Sequence, residues 1–162
     1  MILTIYTLIH VLISLLSILS GLIVVVGWLT AKRLNGWTAV FLTTAVLTSL
    51  TGFFFPVRHI LPSHVVGFIS LVVLAVAIYA RHVRHLKGAW RKVYVAGAML
   101  ALYLNVFVAI FQAFLKVAVL HTLAPTQTEA PFKLTQLVVL ALFVGLAIVA
   151  AIRFQDKPAP TT

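Results

Sequence analysis

The stretch Arg81-His-Val-Arg-His-Leu-Lys-Gly-Ala-Trp-Arg-Lys92 holds five cationic side chains within twelve residues, while the sequence around it is almost continuously apolar. The hydrocarbon interior of a bilayer excludes so much charge, so we expect this stretch to lie in water beside lipid headgroups. The residues predicted to contact anionic headgroups are Arg81, Arg84, Lys87, Arg91 and Lys92. Loops rich in Lys and Arg stay in the cytoplasm, which gives each neighbouring apolar run a direction.

The composition is that of an integral membrane protein. Of the 162 residues, 63% are hydrophobic and 9% are charged, whereas a soluble domain has about 25% charged residues. A formal net charge of +10 would indicate a nucleic-acid partner in a soluble protein. Here the basic residues separate apolar runs, so headgroup contact explains the charge and we expect no nucleic acid.

Several kinds of chemistry are excluded by residue type. The chain has no cysteine, which excludes disulfides, thiolate metal sites and dithiol redox reactions. Its two carboxylates, Glu129 and Asp156, both lie outside the apolar runs, which excludes acidic proton relays and carboxylate di-iron sites within the membrane. No nucleophile motif is recognisable among the serines and histidines. We therefore expect a protein that is not an enzyme.

The apolar runs predict an all-α fold, a polytopic bundle of five transmembrane helices. The predicted helices cover about residues 2–30, 36–55, 63–80, 93–120 and 134–152, within a single transmembrane domain of residues 1–154. Pro56 ends the second run and a tight turn follows it, while residues 121–131 form the one long loop. The tail, residues 155–162, carries two prolines and is predicted to be disordered.

Counting basic residues predicts the orientation. The side of the central cluster carries nine, namely Lys32, Arg33, the five cluster residues, Arg153 and Lys157, and the other side carries three, namely Arg58, Lys116 and Lys133. This asymmetry places the N-terminus outside and the C-terminus in the cytoplasm. Trp28, Trp37 and Trp90 fall at cytoplasmic ends of the runs, where interfacial anchors are expected. We expect the bacterial inner membrane.

Polar residues recur on one face of three predicted helices. These faces carry Thr7, His10, Ser14, Ser17 and Gly21 on the first helix, Thr44, Thr48 and Thr51 on the second, and Ala98, Ala101, Asn105, Gln112 and Lys116 on the fourth. Small and hydroxyl residues allow helices to approach closely and to hydrogen-bond across the contact. The alternative is an outer-facing cavity, for which the candidate residues are His10, Ser14, His64, Asn105, Gln112 and Lys116.

The histidines near the predicted outer face allow two further hypotheses. His10 and His64 could bind a b-type haem as axial ligands at matching depth, with Ser14, Ser17 and Gly67 opening a slot between them. A divalent metal could be held by His10, His64 and His121, although no spacing signature supports it. Interfacial placement and hydrogen bonding to a neighbouring helix are the simpler interpretations of these residues.

Three functions are therefore open, and the cofactor is unknown apart from the haem hypothesis. The sequence favours a subunit or assembly partner of a membrane complex, or a small oligomeric bundle of identical chains. The second function is a polar cavity that binds or conducts a small solute, with Lys116 favouring anions or neutral solutes over cations. The third is an electron carrier linked to haem or quinone through His10 and His64.

Overall fold

A computed structural model describes residues 2–55 and 62–154, with side chains for residues 3–55 and 64–154. This part of the chain is all-helical and contains no strand. Its six helices are α1 (Ile2–Leu29), α2 (Asn35–Gly52), α3 (Pro62–His82), α4 (Trp90–Lys116), α5 (Ala118–Leu123) and α6 (Ala130–Arg153). The predicted tight turn, apart from Pro62, and the predicted disordered tail lie outside the described residues.

Four helical segments are long and apolar enough to cross a bilayer, as expected for a small membrane protein. They are Leu3–Leu29, His64–His82, Trp90–Lys116 and Ala130–Arg153. The remaining long helix, α2, has 18 residues that include Asn35 and five threonines, and it is not one of the four. The predicted count of five spanning helices and the predicted orientation stay predictions.

Helix α4 lies at the centre of the bundle, because it packs against each of the other five helices. Helix α1 packs against α2, α4 and α6, and α3 packs against α2 and α4. We name the two ends of the bundle by their contents. The basic end carries Lys32, Arg33, the turn between α3 and α4, and Arg153; the α5 end carries α5 and the loop that leads into α6.

The helix bounds differ from the predicted ones at the α5 end. The predicted helix 93–120 is two elements, because Val117 takes an extended conformation (φ −87°, ψ 116°) that ends α4 at Lys116. The local sequence Val117-Ala-Val-Leu120 is apolar throughout, so no polar signal marks the break. Helix α6 begins at Ala130, four residues before the predicted start, with Pro131 in its first turn, where a missing N–H costs nothing.

The bounds also differ around the basic cluster, because α3 extends to His82 and α4 begins at Trp90. Five residues of the predicted connection, Arg81, His82, Trp90, Arg91 and Lys92, are therefore helical. Helix α2 ends earlier than predicted, at Gly52 instead of residue 55, with Phe53 as its C-cap. Helices do not have to end where the hydrocarbon ends, so hydropathy alone misplaces their termini.

The core is concentrated in the half of the bundle near the basic end. Trp28 packs its ring against Tyr94 at a centroid distance of 5.6 Å and against Phe154 at 5.8 Å. Trp28 is only 3% exposed, so its predicted role as an interfacial anchor is wrong. The indole, on α1, is buried near the basic end, between Tyr94 of α4 and Phe154 just after α6.

The basic cluster does not act only at the surface. The guanidinium of Arg81 donates to Asn35 Oδ1 over 2.8 Å and to the hydroxyl of Tyr94 over 3.5 Å, so it joins α3 to α2 and α4. Leu86, in the middle of the cluster, is buried. Arg84, Lys87 and Lys92 are exposed, as headgroup contact requires, while Arg91, like Arg81, is half-buried.

Candidate polar site between three helices

Hydrogen bonds fix the relative heights of α1, α2 and α4 in the half of the bundle near the α5 end. His10 Nδ1 lies 2.7 Å from Thr51 Oγ1, and the Tyr6 hydroxyl donates to the carbonyl oxygen of Thr51. The hydroxyl of Ser14 donates to Asn105 Oδ1 over 2.9 Å. The predicted polar faces of the first and fourth helices therefore meet, with Ser14 and Asn105 at one level.

A tightly packed layer closes this junction toward the basic end. A Cβ atom at Gly21 would lie 2.6 Å from Leu102 Cδ1 and 2.9 Å from Phe41 Cδ2, which is closer than van der Waals contact. Only glycine permits the Phe41 and Leu102 side chains to lie so close to α1. We call Gly21, Phe41 and Leu102 the apolar floor.

The residues above the floor follow from helical periodicity. Seven residues make about two turns, so residues seven apart point in nearly the same direction, roughly 10 Å apart along the axis. Ser14 stands seven residues from Gly21, and Thr48 stands seven residues from Phe41. Thr48 therefore faces the same junction at the level of Ser14 and Asn105. We call Ser14, Ser17, Thr48 and Asn105 the polar seam.

Several polar atoms of this region are buried without a hydrogen-bond partner among the described residues. In the seam they are Ser17 Oγ, Thr48 Oγ1 and Asn105 Nδ2, and two turns nearer the α5 end, on the same face of α4, Gln112 Oε1 joins them. Ser17 is fully buried, at 0% exposed. A buried polar group without a partner costs about 1–3 kcal/mol, so this concentration needs an explanation beyond packing.

Neighbouring hydroxyl groups show that the missing bonds are not general. Thr44 and Thr51, one turn from Thr48 on either side, donate to carbonyl oxygens of their own helix over 2.7 Å. Ser20, one turn from Ser17, donates to the carbonyl oxygen of Leu16 over 2.7 Å. Helical serines and threonines ordinarily form this bond. Ser17 and Thr48 depart from the pattern, and both face the junction of α1, α2 and α4.

His10 has its Nδ1 occupied and its Nε2 available. The single hydroxyl proton of Thr51 is given to the carbonyl oxygen of Leu47, so Thr51 Oγ1 accepts a proton from His10 Nδ1. In the neutral ring, Nε2 is then an acceptor, and within the described chain nothing donates to it. Phe55 packs edge-on against the imidazole, with the ring centroids 5.1 Å apart.

Helix α4 is less tightly packed on the α5 side of the seam than on the basic side. Every residue of α4 from 103 to 113 is half-buried, so all faces of about three turns are partly open. The next turns toward the basic end contain six buried residues, namely Tyr94, Val95, Ala98, Met99, Ala101 and Leu102. Lys116, at the end of α4, is exposed. The less tightly packed side of the seam is therefore the side that carries this ammonium group, although Phe114 is buried there against Phe132.

The remaining predicted candidates lie apart from the seam. The ring of His64, at the start of α3, packs against Phe53 at 5.8 Å, and His121 is exposed on α5. In the described residues no group of three His, Cys, Asp or Glu side chains could hold a metal ion. The structure therefore does not bring His10, His64 and His121 together as a metal site.

The haem hypothesis also meets an obstacle. The slot was predicted beside Gly67, but a Cβ atom at Gly67 would lie 3.4 Å from Phe53 Cε2, so a phenylalanine ring occupies that space. Ser14, another residue predicted to open the slot, forms a hydrogen bond with Asn105 of α4. The residues present do not form the space that a haem between His10 and His64 would need.

The loop at the α5 end uses the single carboxylate of the described residues. Glu129 accepts from the Thr126 hydroxyl over 2.8 Å and from the Thr128 backbone N–H over 3.0 Å. These bonds, that of Thr126 first, hold the pKa of the Glu129 carboxyl below its usual range. The carboxylate orders its own loop and is not directed at the seam.

The spacing in the sequence had already placed the four residues of the polar seam, Ser14, Ser17, Thr48 and Asn105, on polar helix faces, together with His10, Thr51, Gln112 and Lys116. It missed Tyr6 and the apolar floor. Gly21 was predicted on the polar face, but no local signal indicates that Phe41 and Leu102 meet there. Comparisons of the chain with protein-family models, curated proteins and solved structures give no match.

Proposed function

We propose that this protein is a non-enzymatic membrane protein that binds a small polar molecule in the polar seam. The observation that carries the proposal is the set of buried atoms without partners on three different helices, Ser17 Oγ, Thr48 Oγ1 and Asn105 Nδ2. A bound molecule that hydrogen-bonds to them would recover free energy that the folded chain otherwise loses.

A purely structural seam is the competing interpretation. Polar residues that only clamp helices together are expected to pair with each other, as Ser14 and Asn105 do over 2.9 Å. Thr48 and Ser17 form no such pair, nor the local bonds that Thr44 and Ser20 make. Valine and alanine would pack these positions at lower cost, so the two hydroxyl groups favour binding over clamping.

The arrangement favours a site that is closed at one end and argues against a continuous pore. The apolar floor at Gly21 lies below the seam, and the buried aromatic rings around Trp28 lie below the floor. A pore would need polar groups or a free path in this region, whereas the layer consists of Phe41 and Leu102. Entry and exit would then both take place from the α5 end.

The orientation and the surroundings belong to the same proposal. Eight basic residues at the basic end, namely Lys32, Arg33, Arg81, Arg84, Lys87, Arg91, Lys92 and Arg153, support a cytoplasmic location for that end. The seam would then open to the outside of a bacterial inner membrane. Exposed Arg84, Lys87 and Lys92 would contact anionic headgroups of the cytoplasmic leaflet.

The other roles predicted from the sequence have less support. A subunit, assembly partner or oligomeric bundle needs a protein-binding face, but the exposed apolar residues of α1, α3 and α6 would equally contact lipid. An electron carrier needs a haem slot, and Phe53 occupies the space over Gly67. Neither role explains the unpartnered atoms of the seam.

Cysteine substitution tests the proposal directly, because the chain has no cysteine of its own. Thr48→Cys places a thiol in the seam, and Thr44→Cys places one a single turn away at a hydroxyl that bonds to its own helix. Only a thiol in contact with water forms the reactive thiolate readily. In membrane vesicles we expect a small water-soluble thiosulfonate to label position 48 roughly tenfold faster than position 44.

Equal labelling at the two positions would overturn the proposal, because it would mean that water and small solutes do not enter the seam. If a solute slows the labelling of position 48, the result would show that the solute binds in the seam and not only that water enters it.

A further inference from the structure

We propose that the turn between α3 and α4 binds the phosphate group of one anionic lipid, with the guanidinium of Arg84 as its main ligand. This inference rests on the headgroup contact included in the proposed function and does not depend on the polar seam. It adds that the contact is a discrete site for one phosphodiester. The geometry of the turn, the charge around it and the apolar surface beside it support the site.

The backbone of the turn holds three side chains close together. The N–H of Lys87 donates to the carbonyl oxygen of Arg84 over 3.1 Å, and the N–H of Trp90 donates to that of Lys87 over 3.2 Å. Leu86 is 3% exposed, and its N–H donates to the carbonyl oxygen of Ala80 over 3.1 Å. The turn is thereby anchored in the core, while Arg84 and Lys87 are exposed.

Left-handed backbone conformations show that the rest of the fold imposes this shape on the turn. His85 has a φ of 50° and Leu86 a φ of 57°, values that residues other than glycine seldom adopt. Such values persist only where the surrounding structure determines them, and here the buried side chain of Leu86 does so. The positions of Arg84 and Lys87 are therefore set by the fold of the turn itself.

The guanidinium of Arg84 is oriented and has donors to offer. Its central carbon lies 5.1 Å from the centroid of the Trp90 ring, and Tyr79 packs edge-on against that ring with the centroids 5.4 Å apart. In contrast to Arg81, which bonds to two other helices, Arg84 has no hydrogen-bond acceptor among the described residues. Stacking leaves the N–H groups at the edge of a guanidinium free, and two of them can bind one phosphate in parallel.

The charge around the turn favours an anionic ligand. Arg84 and Lys87 in the turn and Lys92 just after it are exposed. Among the described residues the single carboxylate is that of Glu129, and donors of the loop at the α5 end engage both of its oxygens. Nothing in this part of the chain neutralises the turn, so we expect its counter-charge from anionic headgroups at the membrane surface.

An exposed strip beside the turn favours a lipid over a soluble phosphate. It consists of large side chains at three- and four-residue spacing along α3 and at its end, each 43–57% exposed, namely Val72, Val76, Tyr79 and Val83. The strip extends about 16 Å along the helix axis, which is about half of the hydrocarbon thickness of a bilayer. An acyl chain lying along it would end beside Arg84, where the phosphate of the same lipid is bound.

Thermal unfolding of the delipidated protein in a neutral detergent tests the inference. The probe is phosphatidylglycerol, which is anionic, and the comparison is phosphatidylcholine, which has the same phosphodiester but no net charge. We expect phosphatidylglycerol to raise the unfolding midpoint saturably, since a ligand that binds only the folded state stabilises it. Phosphatidylcholine at the same mole fraction should raise the midpoint much less.

Two variants separate a discrete site from a diffuse attraction. Arg84→Lys keeps the charge but loses the planar pair of donors, and we expect about tenfold weaker binding of phosphatidylglycerol, the effect of one lost bond to a charged group. The matched control is Arg33→Lys, the same change at an exposed arginine of the basic end. It should bind phosphatidylglycerol within about twofold of the unaltered protein.

The other outcomes each overturn a stated part of the proposal. If phosphatidylglycerol stabilises the protein and Arg84→Lys binds it as tightly as the unaltered protein, the discrete site is overturned while diffuse headgroup contact stands. If phosphatidylglycerol acts no better than phosphatidylcholine, headgroup contact fails and the site fails with it. If inorganic phosphate raises the midpoint as much as the lipid, with the same dependence on Arg84, the ligand is a soluble phosphate and the lipid assignment is overturned.

Discussion

The two halves of helix α4 are the most informative comparison in this molecule. Near the basic end, residues from Tyr94 to Leu102 alternate between buried and accessible, as in a well-packed bundle. Near the α5 end, every residue from 103 to 113 is half-buried. Both halves are apolar helix, so the difference lies in what the neighbouring helices place against them.

Small residues explain the tight half. A Cβ atom at Gly97 would lie 3.3 Å from Ala77 Cβ, so α3 and α4 approach closely there. Ala77, Ala80, Ala98 and Ala101 are all buried, and close approach of backbones is the main source of helix association in lipid. The opposite half instead places polar side chains between its helices. Stability is therefore concentrated at the basic end, and the proposed binding seam lies toward the α5 end.

The largest difference in the free energy of unfolding should come from replacing one phenylalanine by alanine in each half of the bundle. Phe41→Ala removes a fully buried ring from the apolar floor, and we expect a loss of about 3–5 kcal/mol in the free energy of unfolding. Phe55→Ala removes a half-buried ring beside Tyr6 and His10, and we expect a loss of about 1 kcal/mol, the value of an aromatic contact. Unfolding by a denaturing detergent in mixed micelles measures both, and equal losses would contradict the comparison.

Enlarging a small side chain should also distinguish the tightly packed half of α4 from the loosely packed half. Ala98 is fully buried and Ala109 is half-buried, and the two lie eleven residues apart on nearly the same face of α4. We expect Ala98→Leu to cost about 1–3 kcal/mol because the close helix contact has no room for the added atoms. Ala109→Leu should change the free energy of unfolding by less than about 0.5 kcal/mol. A comparable loss at Ala109 would show that the α5 half is as closely packed as the other.

Replacing either of two arginines in the basic cluster should lower the free energy of unfolding by different, smaller amounts. Arg81→Met removes the bonds to Asn35 and Tyr94, and we expect a loss of about 1 kcal/mol, reduced from the full value because the side chain is half-exposed. Arg84→Met removes an exposed guanidinium that lies 5.1 Å from the Trp90 ring centroid, which should matter less, by roughly 0.5 kcal/mol. The same unfolding assay applies, and a larger loss at Arg84 would place the stabilising contact at the surface.

The smallest effect should be a local one, in the loop at the α5 end. The pKa of Glu129 is lowered in the folded protein, so its bonds to Thr126 and Thr128 stabilise the loop above the ordinary glutamate range and are lost as the pH falls through the lowered value. Amide hydrogen exchange at Thr126 and Thr128, corrected for the intrinsic pH dependence of exchange, should show protection that disappears in that acidic range. The variant Glu129→Gln should show no such pH dependence, and protection that persists in acid would contradict the assignment.

Much of the architecture could be predicted because it depends on local properties of the chain. Hydropathy located the apolar segments, and the three- and four-residue spacing placed His10 and Ser14 on one face of α1 and Asn105 and Gln112 on one face of α4. In the structure Ser14 and Asn105 form a hydrogen bond, a pairing between helices that the spacing on each helix does not specify. The break at Val117 could not be predicted, because the apolar run continues from Val117 to Leu120 and a single lysine at position 116 does not by itself end a helix.

The sequence by itself determined that the chain is helical, apolar and strongly basic at one end, since composition and periodicity act residue by residue. Tertiary structure decided which faces meet and at what height. In the folded chain Trp28 is buried and Arg81 bonds to Asn35 on a neighbouring helix. Phe41 and Leu102 pack against Gly21. Thr48 lacks the hydrogen bond to its own helix that Thr44 makes. The physical reason is that periodicity gives the direction of a side chain around its own helix, while its partner depends on how neighbouring helices slide and approach until their surfaces fit.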